Sequence, residues 1–358
     1  MGERVLSGKN RQGKNNIVMK ILIIKPSSLG DVIHALPFLN AVKESFPEAR
    51  IDWVISKNLK GILEDNPLIN ELIIFNKDAW KSLKNLPETL SDISSLRKNL
   101  QSKRYDMVVD LQGLLRSGLI AFSAPGTLKI GFADSREGSR VFYDKKVSAN
   151  SASHAVDRCL EVAKEIGARV NNVVFPLHID NAASLKIKKL LGDIDEYIVI
   201  APSARWLTKR WPAERFASLI KKVSAPCVIT GSKGDIKRAQ KIMGDRMQSR
   251  EHRDKVINIC GKTGLKELAA LIAGAKAVVS NDSGPMHIAA ALDIPTVAIF
   301  GPTDPLKTGP YGWQTNRRLR VIKADIPCSP CRKKKCDEFI CMENISVEMV
   351  FEALNEYL

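Results

Sequence analysis

The stretch Ser280-Asn281-Asp282-Ser283-Gly284-Pro285-Met286-His287 places a carboxylate, hydroxyls, a glycine and an imidazole within a few residues of one another. It follows the apolar run Ala277-Val278-Val279 and precedes Ile288 to Leu292, so it is predicted to join a buried parallel strand to a helix that starts near Ser283. Free amide N–H groups and the positive end of a helix dipole meet at such a turn. That suits a phosphate, and Gly284 lets backbone approach a ligand closely. Plain capping by Asp282 or Ser283 explains the same residues, and a second turn, Gly301-Pro302-Thr303-Asp304-Pro305, follows the next apolar strand at the same predicted sheet edge.

Asp31 closes Ser27-Ser28-Leu29-Gly30-Asp31, between the apolar strand from Met19 to Ile24 and a helix predicted from Val32 to Phe46. It belongs at a helix N-terminus on the ligand edge, where it reads as a site residue or as a cap. Arg136 and Arg140, in Asp134-Ser135-Arg136-Glu137-Gly138-Ser139-Arg140, have the forked donors that grip carboxylates. Asp235, in Gly231-Ser232-Lys233-Gly234-Asp235, is either an acceptor for ribose hydroxyls or another cap. His154 opens a long helix, and capping or a structural hydrogen bond is the reading preferred to catalysis. Cys328, Cys331, Cys336 and Cys341 form C-x2-C-x4-C-x4-C. Such thiolates can converge on zinc or an iron–sulfur cluster, but the spacing is not that of a standard finger, so reduced thiols or a bridge formed on oxidation are expected.

Stepping along the elements that must carry these groups, one strand–turn–helix series begins at Met19 and a second at Tyr197, with a polar, Lys-rich connector between them. Two Rossmann-like α/β domains facing across a cleft are therefore predicted, over residues 19–185 and 186–345, with a closing helix over 346–358. Residues 1–18 are polar and basic without periodicity, an expected disordered extension, and Met19 reads as an alternative start. The composition, 44% hydrophobic and 26% charged, is that of a globular chain. No apolar run approaches the ~20 residues of a membrane span and the N-terminus lacks a signal core, so a cytoplasmic protein is expected. A net charge of +16 calls for an anionic partner. With aromatics at 6% and no RNA-binding or zinc-finger pattern, nucleic acid is a weaker choice than a membrane surface or a phosphorylated glycolipid.

The Asp282-Ser283-Gly284-Pro285-Met286-His287 turn, the strand after it and Gly301-Pro302-Thr303-Asp304-Pro305 together resemble glycosyltransferase family 9, the bacterial lipopolysaccharide heptosyltransferases, whose members carry D-[ST]-G-x-x-H and then G-P-T-D-P. Ser27 to Asp31 is similar to the family's S-S-x-G-D segment, Asp110 to Ser117 to its D-x-Q-G-L-x-[KR]-[ST], and Lys209-Arg210-Trp211-Pro212 to its K-x-W-P. The type that adds the first heptose to the inner core looks closest.

The resemblance implies the GT-B architecture and an inverting transfer of heptose from ADP-heptose to the Kdo of Kdo-bearing lipid A, on the cytoplasmic face of the inner membrane. It makes Asp31 the general base and lines the acceptor side with Ser27, Ser28, Gly30, Arg116, Arg136 and Arg140. Donor contacts fall to Ser203, Lys209 at the diphosphate, Asp235, Asp282, Ser283, Gly284, Pro285 and His287. A basic stretch over residues 76–104, with seven Lys and Arg against three Asp and Glu, is placed by the family at the acceptor. The alternatives are a later core heptose or another sugar, a sugar-nucleotide epimerase of the same architecture, and a non-catalytic anion-binding protein.

No Asp-x-Asp metal motif stands in a suitable loop, so neither a divalent metal nor another cofactor is expected. Transfer measured before and after exhaustive chelation should be equal. A loss restored by adding a divalent ion would overturn that expectation.

Overall fold

The computed structural model describes residues 18–76, 86–244 and 255–358. The expected basic extension lies, up to residue 17, outside the described residues, as do Lys77, Lys81 and Lys84 of the basic stretch.

The first sheet contains β1 (Lys20–Ile24), β2 (Arg50–Ser56), β3 (Glu71–Phe75), β4 (Tyr105–Asp110), β5 (Gly126–Phe132) and β6 (Lys145–Val147). The second contains β7 (Ile198–Ala201), β8 (Cys227–Ile229), β9 (Val256–Asn258), β10 (Ala277–Asn281), β11 (Thr296–Phe300) and β12 (Leu319–Lys323). The orders are β3-β2-β1-β4-β5-β6 and β12-β11-β10-β7-β8-β9, so each domain runs outward from its first strand in the same doubly wound way. Central strands such as β7 and β10 are buried along their whole length and consist of apolar or small residues, as parallel strands covered on both faces must. The order in which strands are added reverses between the parallel neighbours β1 and β4 in one sheet and β7 and β10 in the other, and ligands collect at the carboxyl ends of such strands. These two pairs end in the loops that carry Asp31, Asp110, Ser203 and Asp282. The architecture is α/β, two Rossmann-like domains in the GT-B manner.

The helix predicted from Val32 to Phe46 is two helices, Leu29–His34 and Leu36–Ser45, with Ala35 between them. Pro37 is the cause: without an N–H it cannot bond to the carbonyl of Ile33, and it is tolerated only in the first turn of a new helix. The first helix also starts earlier than expected, with Ser28 as its cap, so Asp31 lies in the first turn instead of ahead of it.

The expected division between residues 185 and 186 lies within the helix Asn181–Leu191. Lys186 of that helix pairs with Glu267 at 2.6 Å, which ties it to the Leu265–Ala273 helix of the second domain. The terminal helix Val347–Asn355, capped by Ser346, completes the second core with Val350 and Leu354. Trp211 is the centre of that core: it is fully buried, donates from Nε1 to the Ile345 carbonyl at 2.9 Å, and meets Phe216 edge to face at 4.9 Å. Large-to-small changes at such positions cost about 3–5 kcal/mol. Trp211→Ala should therefore lower the denaturant midpoint of the second domain by an amount corresponding to that loss, and a change below about 1 kcal/mol would show that the core does not rest on this residue.

Candidate functional site

The turn after β10 is built around a buried ion pair. Asp282 Oδ2 accepts from Lys209 Nζ at 2.6 Å and from the Thr303 hydroxyl, and the residue is 6% exposed. Lys209 Nζ also lies 4.7 Å from the centroid of the Trp206 ring. A carboxylate here would repel an anion, and the lysine offsets it. Beneath the pair, Asn281 accepts from the Trp211 N–H at 3.1 Å and donates to the Pro202 carbonyl at 2.7 Å, which fixes the loops after β7 and β10 against each other.

The helix Gly284–Ala291 starts immediately beyond. Its cap residue, Ser283, gives no side-chain bond to the helix, and Pro285 has no N–H to satisfy. The amides of Gly284 and Met286 therefore face outward without intrahelical acceptors, as the first turn of any helix requires. Lys209, these amides and the helix dipole together form a place for a diphosphate.

Asp31 faces this turn from the other domain. Its Oδ2 accepts from the Ser28 N–H at 2.8 Å and from Ser28 Oγ at 2.7 Å. Burial opposes the charged form, but the nearby Lys25 ammonium, the two bonds from Ser28 and the His287 ring outweigh it and hold the carboxyl below the ordinary range. Lys25 is itself buried and donates to the Leu111 carbonyl at 2.6 Å. The identical spacing Ser232-Lys233-Gly234-Asp235 makes the same capping box, with Ser232 N and Oγ at 2.8 and 2.6 Å from Asp235 Oδ2. Capping thus explains the local geometry of both aspartates. Only Asp31 has, in addition, a buried lysine and the imidazole of the opposite domain.

The two domains touch at this point. A Cβ on Gly30 would stand 2.5 Å from His287 Cδ2, and a Cβ on Gly284 would stand 2.4 Å from Leu29 Cδ2. The close approach that Gly284 allows here is to Leu29, protein against protein. His34 Nε2 and His287 Nδ1 are 3.0 Å apart, so one ring donates to the other. His34 Nδ1 is buried and has no partner. His154 packs on His34 with centroids 5.1 Å apart, accepts the Val156 N–H at Nδ1 and therefore donates from Nε2 to the Gly309 carbonyl at 3.1 Å. His154 is thus a helix cap that also bridges the domains, in keeping with the reading of its sequence position. Tyr311 adds a second bridge by donating to Asp157 Oδ1 at 2.8 Å.

Of the remaining expected residues, Ser27 donates its N–H to Gln112 Oε1 at 3.3 Å, joining the loops after β1 and β4. Ser203 is near the start of the second domain's loop edge with its hydroxyl buried. Arg116, Arg136 and Arg140 are exposed, and none makes an ion pair among the described residues. The four clustered cysteines line one small cavity with Thr208 and Pro302, as free thiols. Among the described residues no group of three or more His, Cys, Asp or Glu side chains is disposed to hold a metal ion. Lys25, His34, Thr303 and Asn281 were not singled out by sequence. Thr303 lies inside Gly301-Pro302-Thr303-Asp304-Pro305 and Asn281 inside the turn that begins at Ser280, so both carry a local signal; Lys25 and His34 act through long-range contacts that no local pattern marks.

A family model, Glycosyltransferase family 9 (heptosyltransferase), matches residues 93–340. Lipopolysaccharide heptosyltransferase 1 of Pseudomonas aeruginosa is 31% identical over 335 residues, spanning 89% of this chain and 87% of that protein. Lipooligosaccharide heptosyltransferase 2 of Campylobacter jejuni is 32% identical over 348 residues, spanning 94% of this chain and 99% of its own. The solved structure of E. coli heptosyltransferase WaaC with ADP is similar at a TM-score of 0.75 and 28% identity, covering 95% of this chain and 100% of that one.

The buried imidazoles give the site a pH signature. Burial pushes His287 from its ordinary 6.5 down to about 4, and burial likewise lowers His34 and His154. Between those values the unfolded chain binds a proton that the folded one refuses, so stability is intact above about 6.5 and falls as pH drops toward 4. For His287 alone the gap corresponds to roughly 3 kcal/mol. Unfolding free energy measured between pH 7 and 4 should decline on this course, and His287→Asn should flatten it; a profile level through that window would show that the rings are not held neutral.

Proposed function

Because the chain belongs to glycosyltransferase family 9, we propose that it transfers heptose from ADP-L-glycero-D-manno-heptose to the Kdo of Kdo-bearing lipid A, with inversion at the anomeric carbon. The observation that carries the reading is the meeting of two helix starts, one holding Asp31 and the other the anion-binding turn at Asp282 to Gly284, within van der Waals reach across the domain boundary. A base and a leaving-group site must stand on facing walls, with the donor sugar and the acceptor hydroxyl between them, for one displacement to use both. The relative solved with ADP supports an adenine nucleotide as part of the donor. Relatives named heptosyltransferase 1, 2 and 3 all match this chain, and the choice of the first heptose rests on the likeness to heptosyltransferase 1.

In the mechanism, an acceptor hydroxyl attacks the anomeric carbon from the face opposite the diphosphate. The new C–O bond forms as the bond to ADP breaks, the hydroxyl proton passes to Asp31, and ADP leaves as the anion. Both bonds from Ser28 fall on Oδ2, so Oδ1 is assigned to the acceptor hydroxyl. Asp31 is charged at neutral pH and ready to accept, and its low basicity makes proton transfer late, when the hydroxyl has become acidic by bonding to carbon. Lys209 and the Gly284 and Met286 amides stabilise the charge that grows on the departing diphosphate. For Lys209 this requires sharing its ammonium between Asp282 and the phosphate. Asp282 and Asp235 position hydroxyls of the sugar or ribose, and Arg116, Arg136 and Arg140 meet the acidic acceptor. The net charge of +16 supports a place at the anionic cytoplasmic face of the inner membrane, and no helix among the described residues is long and apolar enough to cross a membrane.

The reading is tested by a mass-spectrometric assay of heptose addition to Kdo-bearing lipid A. Asp31→Asn should lower turnover by about 100-fold or more while ADP affinity stays within a factor of two or so, the usual weight of a general base. Lys209→Ala should weaken ADP at least about tenfold, since it removes a cation and leaves Asp282 unpaired beside the phosphates. Retained turnover in the first variant would remove Asp31 as base. Wild-type protein that binds ADP but yields no heptose product would move the search to other sugars and later acceptors.

A further inference from the structure

The helix Leu115–Ser123 buries Ser117, Gly118, Ile120 and Ala121 against the first sheet and turns a second apolar face outward. Leu115, Leu119 and Phe122, at i, i+4 and i+7, are 43%, 40% and 67% exposed. The turn Ser139–Phe142 lies across the same helix: a Cβ on Gly118 would stand 2.7 Å from Phe142 Cδ2, and the rings of Phe122 and Phe142 are 5.7 Å apart. Its tip carries Val141, at 73% exposure. Large side chains so exposed and so close together form a patch that a surface bathed only by water does not retain without a use.

The charges around the patch are mainly positive. Arg116, on the helix, and Arg136 and Arg140, both shortly before Val141 in sequence, are exposed and make no ion pair among the described residues. Glu137, the acidic side chain between them, is occupied by the Leu115 N–H at 3.1 Å. Asp134, further back, is held by Arg158 at 2.6 and 2.7 Å. An apolar centre with an unpaired guanidinium rim matches the boundary between acyl chains and anionic headgroups, where apolar side chains sink roughly 5–10 Å and arginines stay with the phosphates.

The patch also begins where an anchored acceptor would need it. Its helix follows directly on the loop whose Gln112 is bonded to Ser27 at 3.3 Å, next to the segment that carries Asp31. From there it runs about 13 Å along the first domain. We infer that the apolar face of Leu115, Leu119, Phe122 and Val141, rimmed by Arg116, Arg136 and Arg140, is the surface by which this chain inserts into an anionic phospholipid bilayer, holding the Asp31 edge of the cleft at headgroup height. This rests on the reading of the acceptor as a lipid-anchored sugar, and it gives the first domain the membrane contact and leaves the donor domain in water.

The test is co-sedimentation of the full chain with vesicles of phosphatidylethanolamine and phosphatidylglycerol, and with vesicles of phosphatidylcholine alone, in the absence of donor and acceptor. Wild type should bind the anionic vesicles and bind the neutral ones about 100-fold less, since each of the three arginines at an anionic surface is worth about fivefold. Phe122→Ser combined with Val141→Ser should lower partition to anionic vesicles at least about tenfold, with unchanged ADP affinity and unchanged transfer to an acceptor stripped of its acyl chains. Val141→Ser alone, at the tip of an exposed turn, keeps the test in hand if the double variant does not fold. Equal partition of variants and wild type, or no wild-type binding to anionic vesicles, would overturn the inference. So would a wild-type dimer in light scattering that the double variant abolishes, because the face would then join two copies. Partition is read without any sugar, so its failure leaves the transfer reading intact, and a failure of transfer leaves the partition result intact.

Discussion

At the middle of the molecule the edge of the His287 ring lies against the backbone of Gly30, so close that any side chain there would collide with it. The mirror contact, Leu29 against Gly284, is as tight. Each glycine belongs to the first turn of a helix that leads off the carboxyl edge of its own sheet. Everything the site does depends on these contacts, because they decide how near the carboxylate of one domain comes to the anion-binding turn of the other. Sheet geometry supplies the two edges; the absence of two methyl groups lets them meet.

The charges follow from that closeness. A carboxylate, Asp282, is buried at the turn that leads into the second domain's central helix, and it is tolerated because Lys209 and Thr303 both reach the same oxygen. On the opposite wall Asp31 stays ionised despite burial because Lys25 and Ser28 compensate it. The imidazoles between them are kept neutral by their own burial. The centre of the cleft therefore contains two compensated acids separated by uncharged rings, an arrangement that avoids repelling an anion from either side.

Much of this was legible in the chain. The two strand–turn–helix series, the turn at Asp282, the capping role of His154 and the Ser28 to Asp31 segment are local patterns, and local patterns survive folding when each strand ends at a sheet edge. What sequence could not reveal was pairing over distance. That His34 meets His287, that Lys25 reaches the Leu111 carbonyl and that Lys209 is held by Asp282 depend on how one domain is set against the other or how two loops of a sheet edge converge. The misplaced helix start near Asp31 had a nearer cause: Ser28 and Asp31 form a reciprocal cap that recruits Leu29 and Gly30 into the helix, while Pro37 ends it early. The same four-residue spacing recurs with the same capping bonds at Asp235, and only surroundings distinguish the two.

The anchoring of Trp211 on Ile345 has a further meaning for how the molecule comes into being. Trp211 holds Asn281 and thereby the donor turn, yet its own partner, together with Val350 and Leu354, is synthesised well over a hundred residues later. The first sheet is complete by Val147 and is free to form while translation continues. The second must wait with its apolar strands exposed until residues 345–354 have left the ribosome. During that interval the second domain is the half with most to gain from a chaperone.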